Sequence, residues 1–127
     1  TDMLNTAPVS AMIPVPDLNR AIDFYTNTLG LPRHPLQYQG GVIFEGGGGT
    51  RIGIYQRARS TADHTLACFQ VDDIGSAMET LRAKGVKFEE YDMPGLKTTN
   101  GVAVMGKEQG AWFKDPDGNI LALSQVG

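Results

Sequence analysis

Arg51, Tyr55 and Cys68 are the side chains whose types could do chemistry inside strand-like segments. An arginine can stabilise an anionic oxygen, and a phenol or thiol can exchange a proton or, for sulfur, attack an electrophile. No base stands at a motif-fixed distance from any of them, so their spacing does not argue for catalysis. Cys68 is the single cysteine, and in mid-strand it is expected as an inert buried thiol, because reactivity needs exposure and a cationic neighbour. His34 follows a proline-containing turn and is not expected as a ligand; His64 lies two residues before Leu66 on the same strand face, so a register slip could bring it toward a cavity, but a surface or strand-end place is expected. Glu90 and Glu108 flank a turn-rich tract, where solvated charge is expected. The run Gly46 to Gly49 would suit a phosphate cradle only ahead of a helix, whereas a strand, Arg51 to Gln56, follows it; a turn is favoured.

The elements that must position these residues are legible in the patterning. Val9, Ala11, Ile13 and Val15 alternate with Ser10, Met12 and Pro14, and Thr65, Ala67, Phe69 and Val71 alternate with Leu66, Cys68 and Gln70, which predicts two strands with distinct faces. Each leads to a helix. Asp17 and Asp73 stand where a carboxylate accepts the free amide hydrogens of a first turn. Leu18, Ala21, Ile22, Tyr25 and Leu29 fall at helical spacing, as do Ile74, Ala77, Met78 and Leu81, and Gly30 and Gly85 are placed to end the two helices in left-handed conformations.

Both pieces are written twice. VPDLNRAIDFY (Val15 to Tyr25) matches VDDIGSAMETL (Val71 to Leu81) at a shift of 56 residues, and FEGGGGTRIGIYQ (Phe44 to Gln56) matches FKDPDGNILALSQ (Phe113 to Gln125) at a shift of 69. Internal similarity on this scale means a duplicated supersecondary unit. The expected fold is α+β: two βαβββ repeats forming a cupped eight-stranded sheet around a central cavity, with helices outside. The chain is read as a single domain, 1–127, made of modules at about 6–60 and 62–127. Ala11, Ile13, Val15, Ala67, Phe69, Val71, Ile52, Ile54, Leu121 and Leu123 should face the helices. The extra residues of the second copy fall in the region Phe88 to Gly110, whose tract YDMPGLKTTNG reads as a loop over one end of the cavity.

Composition narrows the function. A net charge of -3 gives no footprint for nucleic acid or an anionic membrane. No apolar run is long enough to span a bilayer, and the opening TDMLNTAPVS lacks the basic and apolar regions of a signal peptide. A cytoplasmic location is expected, and a lone cysteine agrees with a reducing compartment.

VPDLNRAIDFYTNTLGL (Val15 to Leu31) together with AWFKDPDGNILAL (Ala111 to Leu123) resembles the vicinal oxygen chelate superfamily, the glyoxalase/bleomycin resistance/dioxygenase family. The resemblance covers nearly the whole chain and implies the fold above. For activity it is unspecific, because the family holds lyases, dioxygenases, epimerases, thiol transferases and drug-sequestering proteins. Metal-using members carry ligands on four strands, and those positions fall here on Ser10, Gly53, Leu66 and Ala122. Leucine, glycine and alanine have no donor atom and a lone serine hydroxyl is a poor one, so no metal and no other cofactor is expected. By strand alternation the same face should hold Met12, Arg51, Tyr55, Cys68, Gln70 and Ser124, a mixed wall suited to a flat or amphipathic organic ligand. Trp112, Phe44, Tyr38 and Tyr91 lie on segments expected to edge it. The leading expectation is a metal-free protein that binds or sequesters a small organic molecule, pairing as a homodimer. Two alternatives stand beside it: a glyoxalase-like or dioxygenase-like enzyme with ligands from elsewhere, and a dimeric interaction or regulatory module.

Overall fold

The computed structural model describes residues 10–35, 40–58 and 64–126. Val9 and Tyr38, which enter the sequence reading, lie outside the described residues. The chain divides into two compact units, 1–60 and 61–127.

The first unit contains β1 (Ser10–Val15), α1 (Leu18–Asp23), β2 (Gly41–Glu45) and β3 (Arg51–Gln56). β3 lies in the middle of the sheet, parallel to β1 and antiparallel to β2. Alternation sends Ile13, Val15, Val42, Phe44, Ile52 and Ile54 to one side, where they are buried with Ala21 and Tyr25. Tyr25 stacks on Phe44 with ring centroids 5.9 Å apart. Each such side chain, fully buried, contributes roughly 1.5–3 kcal/mol of transfer free energy.

The second unit contains β4 (Thr65–Gln70), α2 (Ile74–Ala83), β5 (Asp92–Met93), β6 (Leu96–Lys97), β7 (Ala103–Met105), β8 (Glu108–Lys114) and β9 (Ile120–Val126). Its larger sheet has the order β4-β9-β8-β7, and β5 and β6 form a separate hairpin. Here β9 takes the central role, parallel to β4 and antiparallel to β8. Ala111, Phe113, Leu121 and Leu123 are buried on the side that also buries Ile74 and Met78.

The parallel registers carry the two sequence shifts into three dimensions. Met12 is opposite Gly53 in the first unit, and Cys68 is opposite Ala122 in the second. Those are the same pairs related by 56 and 69 residues. The caps agree as well: Asp17 Oδ1 accepts from Arg20 N and Asp73 Oδ1 from Ser76 N, each at 3.1 Å.

Helix ends separate the units. After α2, Gly85 (φ 94°) is left-handed, its N–H donates to Arg82 O and that of Val86 to Leu81 O, the two bonds of a Schellman cap. The first helix departs from the regular helix that its spacing predicts through Leu29. It widens into a π turn at Phe24–Thr28, with Leu29 N donating to Phe24 O, so the closing bond at left-handed Gly30 reaches one residue further back, from Leu31 N to Tyr25 O.

The second unit's sheet has four strands and the first unit's three among the described residues. Where a further strand is expected beside β2, the described residues form a bridge from Arg33 to Phe44, and in the second unit the matching place holds a bridge from Phe88 to Phe113. The outer edge of β8 is then completed by β7 instead. The physical cause is the longer connection of the second copy, which leaves the edge after residue 89, forms a hairpin and returns.

Candidate functional site

Side chains on the face opposite the buried ones form the candidate site, and each unit is built alike. In the first unit, β1 contributes Ser10 and Met12, β3 contributes Arg51, Gly53 and Tyr55, and β2 contributes Ile43. Met12 is 49% exposed, whereas Ser10, Arg51 and Tyr55 are half-buried and Gly53 is buried. Row by row, Met12, Gly53 and Ile43 stand side by side. In the second unit the matching row is Cys68, Ala122 and Trp112. Both rows have the smallest residue on the central strand and larger ones on either side, which makes a shallow trough.

The second trough has more in it. An added Cβ at Gly110 would lie 3.1 Å from Trp112 Cη2 and 3.3 Å from Met105 Cε, so the benzo edge of the indole and the thioether methyl both rest over this backbone position. Tyr91 meets Trp112 edge to face, centroids 5.7 Å apart. Gly110 is opposite Ser124, whose neighbour on β4 is Gln70. The Ser124 hydroxyl donates to Glu108 Oε2 at 3.0 Å, which draws that carboxylate back along the strand toward the same row.

Cys68 is exposed, not buried as its mid-strand place suggests, because β4 is an edge strand. Partial burial of the sulfur and, second, the Glu108 carboxylate push its pKa up. The thiol is therefore held in the protonated form at neutral pH, unlike an activated nucleophile. Replacing Glu108 by glutamine should lower the thiol pKa, moving the rise in iodoacetamide reactivity to lower pH; an unmoved profile would mean that the carboxylate does not act on the sulfur.

Leu66 sits at an irregularity. Thr65 pairs with Ile120 and Ala67 with Leu121, so one extra residue of β4 is accommodated at Leu66. The irregularity places Thr65, in register with Ile120, on the Cys68 face, and alternation then directs His64 away from it. His64 is exposed, with Nδ1 3.4 Å from Thr65 O. His34 lies in the first unit, Nε2 3.8 Å from Glu45 Oε1.

The four positions at which the resemblance places metal ligands do not fit a metal. Gly53 and Ala122 form the trough floors, Leu66 is apolar, and Ser10 offers one neutral hydroxyl. Among the described residues, no three His, Cys, Asp or Glu side chains converge on a point that could hold an ion.

The turn-rich tract is not an open loop but the β5–β6 hairpin with a Pro94-Gly95 turn, Gly95 at φ 83°. Glu90 organises its base: Oε1 accepts from Thr98 Oγ1 at 2.6 Å and from Gly101 N at 2.9 Å, and these bonds, in that order, hold the carboxyl below its usual range. Burial, then Glu89, raises the pKa of Tyr91, which stays a neutral phenol beside Trp112. Phe44 belongs to the first unit's core and not to its open face.

Sequence reasoning missed Glu108 as a site residue, and with it Gly110 and Met105. The signal for Gly110 was present, since the 69-residue shift also pairs it with Gly41. Nothing marked Met105, which lies in the inserted segment and reaches the face only through the β7–β8 pairing.

A mixed α/β chain with two parallel strand pairs, each extended by an antiparallel neighbour and with a capped helix following its first strand, is a fold of glyoxalase type. The model of the Glyoxalase/Bleomycin resistance protein/Dioxygenase superfamily matches residues 7–123, and the chain belongs to that superfamily. Solved structures of the same fold include a glyoxalase family protein from Bacillus anthracis, at 17% identity, TM-score 0.77 and full coverage of both chains. TnmS3, an antibiotic binding protein from Streptomyces sp. CB03234, is 21% identical over 99% of this chain and 100% of its own, with TM-score 0.69. Lactoylglutathione lyase from Agrobacterium tumefaciens is 20% identical over 94% of this chain and 93% of its own, with TM-score 0.66. No curated protein matches the chain in sequence.

Proposed function

We propose that this chain binds a small organic molecule without a metal, in the manner of the family's drug-sequestering members, and that the two units are copies of one module within a single domain. One observation carries the reading. Where metal-using relatives place ligands, this chain has Gly53 and Ala122 as trough floors, and the trough in the second unit is bounded by the indole of Trp112 lying over Gly110. A small-residue floor beside an aromatic plane suits a ring, which gains from stacking and from leaving water. The reading is supported by the likeness in fold to TnmS3, an antibiotic binding protein. The equal registers of Met12 with Gly53 and of Cys68 with Ala122 support the duplication.

Protein purified without chelator should hold well under one divalent ion per chain by elemental analysis. In a thermal-shift panel of aromatic antibiotics, catechols, glutathione conjugates and acyl-CoA esters, at least one flat ring compound should raise Tm, because binding to the folded state alone stabilises it by mass action. One tightly held ion per chain, or stabilisation by such an ion and by no organic compound, overturns the reading.

A further inference from the structure

Resting on that reading, we propose that the compound bound by the second unit is a flat aromatic cation whose ring lies against Trp112 and whose positively charged, hydrogen-bond-donating group meets Glu108. Three features of the β4-β9-β8-β7 face converge on the row of Gly110, Ser124 and Gln70. The indole edge and the Met105 methyl both approach Gly110. Glu108, which is exposed, belongs to the same face two residues earlier on β8, and its hydrogen bond from Ser124 holds one carboxylate oxygen near the row. Cys68, one row away and close enough for its thiol to sense the Glu108 charge, is neutral.

Charge then selects the ligand. The Ser124 hydroxyl spends its proton on Oε2, which leaves Oε1 as an acceptor with capacity to spare. Among the described residues His34 pairs with Glu45 and Lys114 with Glu89, and no ion pair joins a lysine or arginine to Glu108. Gln70 is neutral, and Lys114, which shares the face by alternation, is at the far end of β8 and engaged by Glu89 at 3.7 Å. The aromatic face adds the same preference, because the negative face of an indole attracts a cation. An anionic ligand would meet a carboxylate and an electron-rich ring with no compensating cation. A cationic one meets a charge-assisted acceptor beside a stacking plane.

Calorimetric titration of the full chain with 9-aminoacridine, a flat cation, and with acridine-9-carboxylate, its anionic counterpart, tests this. The cation should bind about tenfold more tightly than the anion. Glu108→Gln keeps the shape and a partner for Ser124, and should remove most of that preference. Glu79→Gln, which makes the same change in net charge at an exposed position on α2, should leave it intact. Equal binding of the two acridines, or equal effects of the two substitutions, overturns the proposal while leaving ring binding standing. If neither acridine binds, the proposal and the ring-binding reading fall together.

Discussion

Asp115→Ala is expected to destabilise the chain by about 2–4 kcal/mol, read as a lower urea midpoint with an unchanged slope. Asp115 is only 5% exposed. Its Oδ1 accepts from Asp117 N and Asn119 N and its Oδ2 from Asn119 Nδ2, each at 2.9 Å. Removing the carboxylate takes one shared acceptor group from three donors of a buried turn, and bonds to charged groups are worth roughly 1.5–3 kcal/mol each, less than additively. Asp115→Asn retains one carbonyl oxygen for the two backbone donors but places an amide NH2 against Asn119, so its loss should be smaller. A loss under about 0.5 kcal/mol in the alanine variant, the range of an ordinary surface change, would show that the turn holds itself. The functional stake is register, because this turn joins β8, which carries Trp112, to β9, which carries Ala122 and Ser124.

The first unit makes the same turn by other means. Gly46 N donates to Thr50 O at 2.9 Å as Asp115 N donates to Asn119 O at 2.9 Å, and Gly49 and Gly118 have φ of 80° and 85°. These pairs stand 69 residues apart. Where Asp115 uses a carboxylate, Gly46 has no side chain, and Gly48 at φ 66° supplies the bend that the acidic network otherwise enforces. Turn chemistry was therefore readable from composition, although which atoms do the work in each copy was not.

That contrast sets what the sequence could reveal. Strand faces, capping aspartates and helix-ending glycines are local properties fixed by a period of two, by one short side chain or by a positive φ, and Ile13, Val15, Asp17, Asp73, Gly30 and Gly85 all stand where the patterning puts them. The π turn at Phe24–Thr28 gives no such signal, since an apolar stripe tolerates one extra residue without losing its face. The site was half legible for the same reason. Cys68, Gln70, Trp112, Ala122 and Ser124 share a face that alternation predicts, but Glu108 and Met105 join it through the pairing of β7 with β8, a contact set by the inserted segment. Glu90 shows the other limit: a charge expected to be merely solvated is exposed, yet it receives two hydrogen bonds that tie residues 98 and 101 together.

Gly110→Val should cost the ring site at least about tenfold in affinity, the equivalent of roughly 1.4 kcal/mol, while the fold survives. A Cβ at this position would lie 3.1 Å from Trp112 Cη2, tighter than nine in ten real contacts, and 3.5 Å from Cζ2, an ordinary contact. Met105 Cε, 3.3 Å away, ends a flexible thioether and can yield. The indole has less freedom, because Tyr91 abuts it edge on. Two further methyl groups must therefore swing the ring or fill the trough, and either change removes the stacking plane. Overpacking costs about 1–3 kcal/mol, offset by the roughly 0.5–1 kcal/mol that a β-former gains over glycine in a strand. Net stability should fall by about 0–2.5 kcal/mol, which leaves the chain folded. Since Trp112 is the single tryptophan, its near-UV circular dichroism reports the displacement directly. An altered spectrum with lost binding and a cooperative melt is the expected combination. An unchanged spectrum with unchanged affinity would mean that the indole does not form the wall of the site.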